Sequence, residues 1–307
     1  MTGGAGFIGS TLVDRLIRDG HDVCVVDDLS RGRREQVNDA VAEFVELDIN
    51  GDMDSVLQRF RPETVFHEAA QIDVRRSVSE PQLDTHINVL GTVNLLAAAA
   101  RVGARRFIFA SSGGALYGDT EVLPTPESHP TRPASQYGAA KLCGEIYGGV
   151  FAQLNDLEFV ALRYSNVYGP RQDPHGEAGV VAIFSERLIR GQPTRIFGDG
   201  SQTRDFVYVD DVVAANVAAM SGPPGAYNVG TGETCDVNQL HRRLATACES
   251  TATAEMAAGR PGEQRGSCLD IALARQRLGW TPQVALDDGL PRTVEFFRSR
   301  LGNAEVS

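Results

Sequence analysis

Tyr137 and Lys141 stand four residues apart in "SQYGAAKLCGE", so on a helix they share one face. A phenol titrates near pH 10 and is a poor base at neutral pH. A neighbouring ammonium favours the phenolate, and a cationic ring beside it would add to that effect. A tyrosine so placed can take a proton from a hydroxyl while the same carbon is oxidised. The pair alone also fits an ordinary surface contact, so its weight depends on the rest of the chain. Upstream, "FIFASSGGALYG" puts Ser111 and Ser112 at the C-terminal end of a predicted strand. Open α/β sheets bind their ligands there. A hydroxyl at that place either hydrogen-bonds a reacting oxygen or simply caps the strand.

The opening "MTGGAGFIGS" reads as G-x-G-x-x-G from Gly4 or as G-x-x-G-x-x-G from Gly3. Closely spaced glycines let backbone amides at a helix N-terminus approach a pyrophosphate, and Gly9 would let that helix pack close to its strand. The run "DVCVVDD" reaches Asp27 about 20 residues beyond the loop. A carboxylate there accepts hydrogen bonds from an adenosine ribose and repels a 2′-phosphate, which favours NAD; Arg31, Arg33 and Arg34 nearby keep NADP open. A G-x-x-x-x-G-K-[ST] sequence is absent, which argues against a nucleoside triphosphatase.

These groups need a scaffold, and the first half of the chain supplies one. "DVCVVD" (22–27), "EFVEL" (43–47), "TVFH" (64–67), "RRFIFAS" (105–111) and "EFVALRY" (158–164) read as strands, several apolar at consecutive positions as doubly covered strands are. Between them lie helical patterns: "FIGSTLVDRLIRDG", ending in Gly20, and long helices over 82–103 and 135–155. The alternation predicts an α/β fold, a doubly wound parallel Rossmann sheet with right-handed crossovers. After about Tyr164 the rhythm breaks, and "GPRQDPHGEAG" is rich in Gly, Pro and charge. The division expected is a dinucleotide-binding domain over 1–165 and a smaller α+β substrate domain over 166–307, some of whose segments return to the first.

With 307 residues, 42% of them hydrophobic and 22% charged, the chain has the composition of an ordinary soluble globular protein. A net charge of -11, with both signs interspersed, argues against a nucleic-acid surface. The five cysteines (24, 143, 235, 248, 268) form no CxxC pair and are odd in number, which suggests neither a zinc site nor a disulfide framework. Reduced thiols, no apolar run of membrane-spanning length and no signal-like start predict a cytoplasmic protein without a membrane partner.

The motifs "TGGAGFIGS", "VVDDLSRG", "HEAAQIDVRRS", "INVLGTVNLL", "SSGGALYG", "YGAAK", "LRYSNVYGPRQ" and "GDGSQTRDFVYVDDV" occur in this order. Together, over nearly the whole length, the chain resembles the extended short-chain dehydrogenase/reductases, and within them the nucleotide-sugar 4-epimerases. The resemblance implies that Gly3, Gly6, Phe7, Ile8 and Gly9 hold the pyrophosphate of NAD, and Asp27 its ribose. Asp48 and Ile49 would bracket the adenine, and Ala69, Ala70 and Gln71 would line the cofactor, with Asn88 supporting that loop. Ser111 would lie beside the cofactor. Tyr137 would be the base, with Lys141 also on the nicotinamide ribose and Tyr164 fixing the nicotinamide face. On the substrate side, Asn166, Arg204 and Arg260 would meet a diphosphate, since guanidinium forks suit it, and Phe197 would lie near the uracil. Arg204 equally fits an ion pair with Asp205 or Asp210, and Phe197 a core place. Many relatives carry a catalytic Ser or Thr four residues before the tyrosine of the "YG" pair. Here that position is Gly113, and the adjacent Ser112 is expected to take the role, also touching substrate.

The implied reaction is oxidation of a UDP-hexose at C4, rotation of the keto sugar and re-reduction on its other face. The expected substrates are UDP-glucose and UDP-galactose, with UDP-glucuronate and N-acetylated hexoses as alternatives. A 4,6-dehydratase would carry an Asp-Glu pair where this chain has Gly113, Gly114 and Ala115. A non-catalytic NAD-binding regulator would have lost Tyr137 or Lys141. The helices over 82–103 and 135–155 resemble those that form a homodimer in relatives, although burial on their own sheet explains the same small-residue faces. The glycine loop normally follows a central strand, and only Met1 and Thr2 precede it here. The chain is therefore expected to continue upstream with a short apolar strand.

Overall fold

The computed structural model describes residues 1–175, 179–259 and 264–304. Five strands coincide with the apolar runs: β1 Cys24–Asp27, β2 Glu43–Glu46, β3 Thr64–His67, β4 Arg106–Ser112 and β5 Glu158–Tyr164. All four residues of β1 and the first six of β4 are buried, as helices on both faces require. β3, β4 and β5 pair in parallel and in sequence order, and β1 pairs in parallel with β2. The strand Gly225–Val229 pairs in parallel with the far side of β5 and extends the first sheet. The helix Val209–Ala219 puts Val212, Val213 and Ala215 in one apolar cluster with Leu12, Val13 and Leu16 of the first helix, Phe7–Arg18.

The two halves of the sheet meet at Thr2, which bridges Val26 and His67. Its amide donates to Phe66 O at 3.0 Å, Gly3 N to Val26 O at 2.9 Å, and Val26 N to Met1 O at 2.8 Å. Beside this short central segment a cavity of about 350 Å³ opens between β1 and β3, lined by Cys24, Met53, Leu57, Val65 and Leu95 among others.

The long helix expected over 82–103 is broken. Pro81–Asp84 is α-helical, Thr85–Leu90 is a wider π turn, and Gly91–Arg101 resumes the α-helix. The wide turn carries Asn88 inward, where it is 3% exposed and hydrogen-bonds the Gln71 backbone. Gly91 then passes Ile49 at a distance that leaves no room for a Cβ. Residues beyond the first sheet build a second cluster in which Tyr168, Phe184 and Leu188 meet Leu240, Leu244 and Leu290.

His67 closes the centre of the sheet. Its Nδ1 lies 2.8 Å from Thr2 Oγ1 and its Nε2 2.9 Å from Thr92 Oγ1. Thr92 donates to Asn88 O at 2.7 Å, so its oxygen accepts from the imidazole, and Nδ1 accepts from Thr2. One neutral tautomer satisfies every partner. Burial, aided by Lys141, pushes the imidazole down to about 3. The unfolded chain therefore binds this proton first, and stability falls as pH drops from 6.5 towards 3. Urea unfolding should show the protein losing about 2 kcal/mol more between pH 6.5 and 5 than His67→Gln does over the same interval. Equal losses in the two proteins would contradict a buried neutral His67.

Candidate active site

The glycine turn runs from the central segment into the first helix. Gly3 has φ +70, and any Cβ there would strike the Ala69 backbone. A Cβ on Gly9 would collide with the Gly3 carbonyl, so both glycines are required by the close passage of turn over helix. Gly6 is the N-cap residue, with no side chain to satisfy the first turn. The amides of Phe7, Ile8 and Gly9 thus lack intrahelical acceptors and point out of the helix end, with the positive end of its dipole. Asp27 accepts Ala5 N and Leu29 N, each at 2.9 Å, which ties the turn to the end of β1. Burial raises the carboxyl and the two amides oppose that shift. Each oxygen has one backbone donor, which leaves lone pairs for ribose hydroxyls. A bare-amide cradle beside a carboxylate fits a dinucleotide without a 2′-phosphate. Of the nearby arginines, Arg34 lies over the Phe44 ring and pairs with Asp39.

Next along the sheet edge, Gln71 is clamped from both sides. Asn88 Oδ1 accepts the Gln71 amide and Asn88 Nδ2 donates to the Gln71 carbonyl, both at 2.8 Å. Asp84 Oδ1 accepts from Gln71 Nε2 at 3.0 Å and from Asn88 Nδ2 at 2.9 Å. Its other oxygen is buried without a partner among the described residues. Asp48 is exposed and accepts the Asn50 amide, whereas the Ile49 side chain is buried and its carbonyl accepts Asn94 Nδ2. Ala69 and Ala70 are half-buried between β3 and this clamp.

Tyr137 and Lys141 come from the helix Gln136–Leu154, whose N-cap Ser135 accepts the Gly138 amide. The Tyr137 amide is itself held by Ser77 Oγ at 3.1 Å. Gly144 and Gly148 lie against Phe109 and Phe159 so closely that a Cβ would enter either ring, which seats the helix directly on β4 and β5. Lys141 Nζ donates to Ala110 O at 2.7 Å and lies 5.8 Å from the centre of the Tyr137 ring. Burial lowers the ammonium to about 8, although Glu68 and Asp84 oppose the shift. Burial raises the phenol to about 12, with Asp84 and Glu68 adding to the rise and a hydrogen bond from Ser112 opposing it. Within the protein alone, then, desolvation and the two carboxyls outweigh the Ser112 hydroxyl, and the phenol holds its proton at neutral pH.

Ser112, the last residue of β4, is the hydroxyl that lowers the Tyr137 phenol. Ser111, one residue earlier, points to the opposite face and donates to Glu145 at 2.6 Å, inside an ion pair of Glu145 with Arg163. Gly113 opens a helical turn whose Cβ position is filled by the Leu269 side chain. Tyr164 stands in register with Ser112 on β5. Its hydroxyl donates to Glu68 at 2.9 Å and accepts from Asn216 at 2.7 Å.

Asn166 is exposed on a short strand paired with Phe206, two residues from Arg204. Arg204 Nη1 donates to Thr203 O, and neighbouring Asp205 is spent on Thr231, Gly232 and Leu269. Phe197 ends the strand Thr194–Phe197 and is half-buried. Arg260 lies outside the described residues. The first half thus brings Tyr137, Lys141, Ser112 and Tyr164 together at one sheet edge, with the glycine turn, Asp27 and Gln71 along it; Ser111 is turned away. Glu68, Asp84, His67 and Ser77 were absent from the residues singled out in the sequence. Asp84 preceding Asn88 by four residues was the one available signal.

Residues 1–230 match the NAD dependent epimerase/dehydratase family. The chain is 51% identical to a UDP-glucose 4-epimerase of Mycolicibacterium smegmatis over 308 aligned residues, covering 98% of each protein. Its fold superposes with a TM-score of 0.95 on a UDP-glucose 4-epimerase of Thermotoga maritima solved with UDP-glucose, 47% identical and covering 98% of both chains. It also superposes, with a TM-score of 0.93, on a Thermus thermophilus UDP-glucose 4-epimerase complexed with NAD, 43% identical and covering 97% of both. A glycine turn with bare amides, its partner Asp27 and the Ser112–Tyr137–Lys141 group are therefore the parts of a member of the NAD dependent epimerase/dehydratase family.

Proposed function

We propose that the chain is an NAD-dependent UDP-hexose 4-epimerase that interconverts UDP-glucose and UDP-galactose. The observation that carries this reading is Tyr137 with Lys141 one helical turn away, both at the C-terminal edge of the sheet where β4 ends in Ser112. The mycobacterial and Thermotoga relatives support the choice of hexose. Residues 1–165, with the strand Gly225–Val229, form the cofactor-binding unit, and the rest of 166–307 the sugar-nucleotide unit.

When bound, NAD supplies a reversible two-electron acceptor for the C4–H bond. Gly3, Gly6, Phe7, Ile8 and Gly9 hold its pyrophosphate, Asp27 its ribose, and Asp48 and Ile49 its adenine, while Ala69, Ala70 and Gln71, braced by Asn88, line its path. Tyr164 faces the nicotinamide. Ser111 acts behind this surface, through Glu145 and Arg163. Tyr137 takes the 4-OH proton and later returns it. Ser112 donates to the phenol oxygen, which stabilises the phenolate, and orients the sugar hydroxyl. Lys141 holds the nicotinamide ribose and lends positive charge to the phenolate. Because burial raises the phenol to about 12, proton loss awaits a further positive charge beside it. Asn166, Arg204 and Arg260 anchor the diphosphate and Phe197 the uracil, so the keto sugar can turn without leaving.

The enzyme works as a homodimer in the cytoplasm. The outer face of Gln136–Leu154 exposes Ile146, Tyr147, Val150 and Leu154, the last at 78%. Beside it, Val89, Leu90, Val93 and Tyr147 line a groove of about 580 Å³. Small residues on the inner face already meet the sheet, so this apolar stripe is free for a second copy. The five cysteines, all unpaired, suit a reducing compartment.

Incubation with UDP-glucose should yield UDP-galactose, resolved by chromatography. Tyr137→Phe should lower kcat by about 10²–10⁴-fold with NAD content unchanged. Ser112→Ala, which removes the bond that lowers the phenol, should cost at least about tenfold and move the activity optimum to higher pH. Absence of any epimer from wild-type protein sinks the reading. Ile146→Glu with Leu90→Glu should convert dimer to monomer in light scattering, and an unchanged mass would exclude this face as the interface.

A further inference from the structure

Glu68 follows His67 directly beyond β3, and the reaction described above gives it no task. Its carboxylate accepts the Tyr164 hydroxyl at 2.9 Å, while Asn216 Nδ2 donates to the same oxygen at 2.7 Å. With Asn216 occupying an acceptor position of Tyr164, the phenolic proton is directed to Glu68. Both ends of this chain are fixed. Asn216 is fully buried and also donates to Val212 O at 3.0 Å. The Glu68 amide donates to Thr2 O at 3.1 Å, and its carbonyl carbon lies against Gly3 too closely for a Cβ there. The chain thus runs from the helix Val209–Ala219 through β5 to β3, across the edge where Ser112 and Tyr164 stand in register.

A carboxyl is costly to desolvate, and here burial raises it to about 7 with Lys141 opposing the shift. An apolar side chain would fill the place without that cost. What only an acceptor can do is take the Tyr164 proton and hold the ring in one tilt. We propose that Glu68 is a positioning residue for C4 oxidation, locking the Tyr164 ring against the nicotinamide site as terminal acceptor of the Asn216–Tyr164–Glu68 chain. The inference rests on the reading of Tyr164 as the nicotinamide-facing residue. Misplacement of a reacting group by about 1 Å costs on the order of 10²-fold, so a loosened ring is felt in kcat.

The test compares NAD-loaded wild-type protein, Glu68→Gln, Glu68→Leu, Tyr164→Phe and the double variant Glu68→Leu/Tyr164→Phe in one UDP-glucose assay, with NAD content and Tm measured alongside. Glu68→Leu should lower kcat about 10–100-fold while KM stays within about twofold and NAD content is full. Glu68→Gln keeps an acceptor oxygen and should stay within about threefold of wild-type kcat. In the Tyr164→Phe background, Glu68→Leu should add less than about twofold, because the hydroxyl it served is gone. The proposal is overturned if Leu leaves kcat unchanged, if Gln is as damaging as Leu, or if the losses multiply in the double variant. A fall in kcat that merely follows lost NAD or a lower Tm also overturns it, making Glu68 a packing residue. Wild-type protein inert towards every UDP-hexose would instead overturn the epimerase reading. The same cycle, read on the fluorescence of bound NADH, then still decides whether Glu68 and Tyr164 act as a unit.

Discussion

The uncharged imidazole of His67 is the interaction on which the rest of the cofactor edge depends. It has one partner on the central segment, Thr2, and one on the helix that follows the π turn, Thr92. Thr92 passes the chain to Asn88, and Asn88 holds both backbone groups of Gln71. Glycine turn, β3 and the Gln71 loop are therefore one hydrogen-bonded unit. A charged imidazole would disturb its Thr2 end, because Nδ1 would then donate towards a hydroxyl that now gives it a proton, while Nε2 would go on donating to Thr92. The unit also accounts for the π turn. An unbroken α-helix would change the rotation between Asp84, Asn88 and Thr92, which at present bond Gln71, Gln71 and His67 respectively. Wide turns of this kind are frequent at functional sites, and here the requirement is visible in the partners.

Against this fixed edge, the helix Gln136–Leu154 sets the height of Tyr137 and Lys141. Two glycines let it approach β4 and β5 to ring contact with Phe109 and Phe159, and Ser77 holds the Tyr137 amide at its start. Lys141, 4% exposed, is then pinned to the Ala110 carbonyl. Close seating creates both the proximity and the desolvation. The same approach that brings phenol and ammonium together strips water from each, raising the one and lowering the other.

Much of this architecture was legible in the sequence, and the omissions share a cause. Doubly covered strands are apolar at consecutive positions, so β1, β3, β4 and β5 declared themselves to within two residues. The glycine turn did so because close backbone passage admits no other residue at Gly3 and Gly9. The π turn left no mark, since "THINVL" keeps a helical pattern and contains neither Pro nor Gly. The strand Gly225–Val229, "GAYNV", was too mixed in polarity to separate from its surroundings. Buried Asp84 and His67 and half-buried Glu68 were missed because a polar residue held on specific partners reads, in one sequence, like a polar residue facing water. The hydroxyl near Tyr137 shows the limit of counting. Strand β4 runs through Ser112 and the helical turn begins at Gly113, so an offset measured back from Tyr117 falls one residue past the hydroxyl.

The charges around Tyr137 also decide when it can act. Two carboxyls, Glu68 and Asp84, raise the phenol, and the single ammonium is spent on a backbone carbonyl. A phenol held to about 12 is ionised at neutral pH only about one part in 10⁵, too rarely to serve as a base by itself. A positive charge held beside the phenol, as a bound nicotinamide ring would supply, would shift that balance. On the proposed reading of Tyr137 as the base, the acidic surroundings would make proton transfer depend on that charge. Without it, an ionised Tyr137 would be a buried charge with only the Lys141 ammonium, 5.8 Å from its ring centre, to offset it.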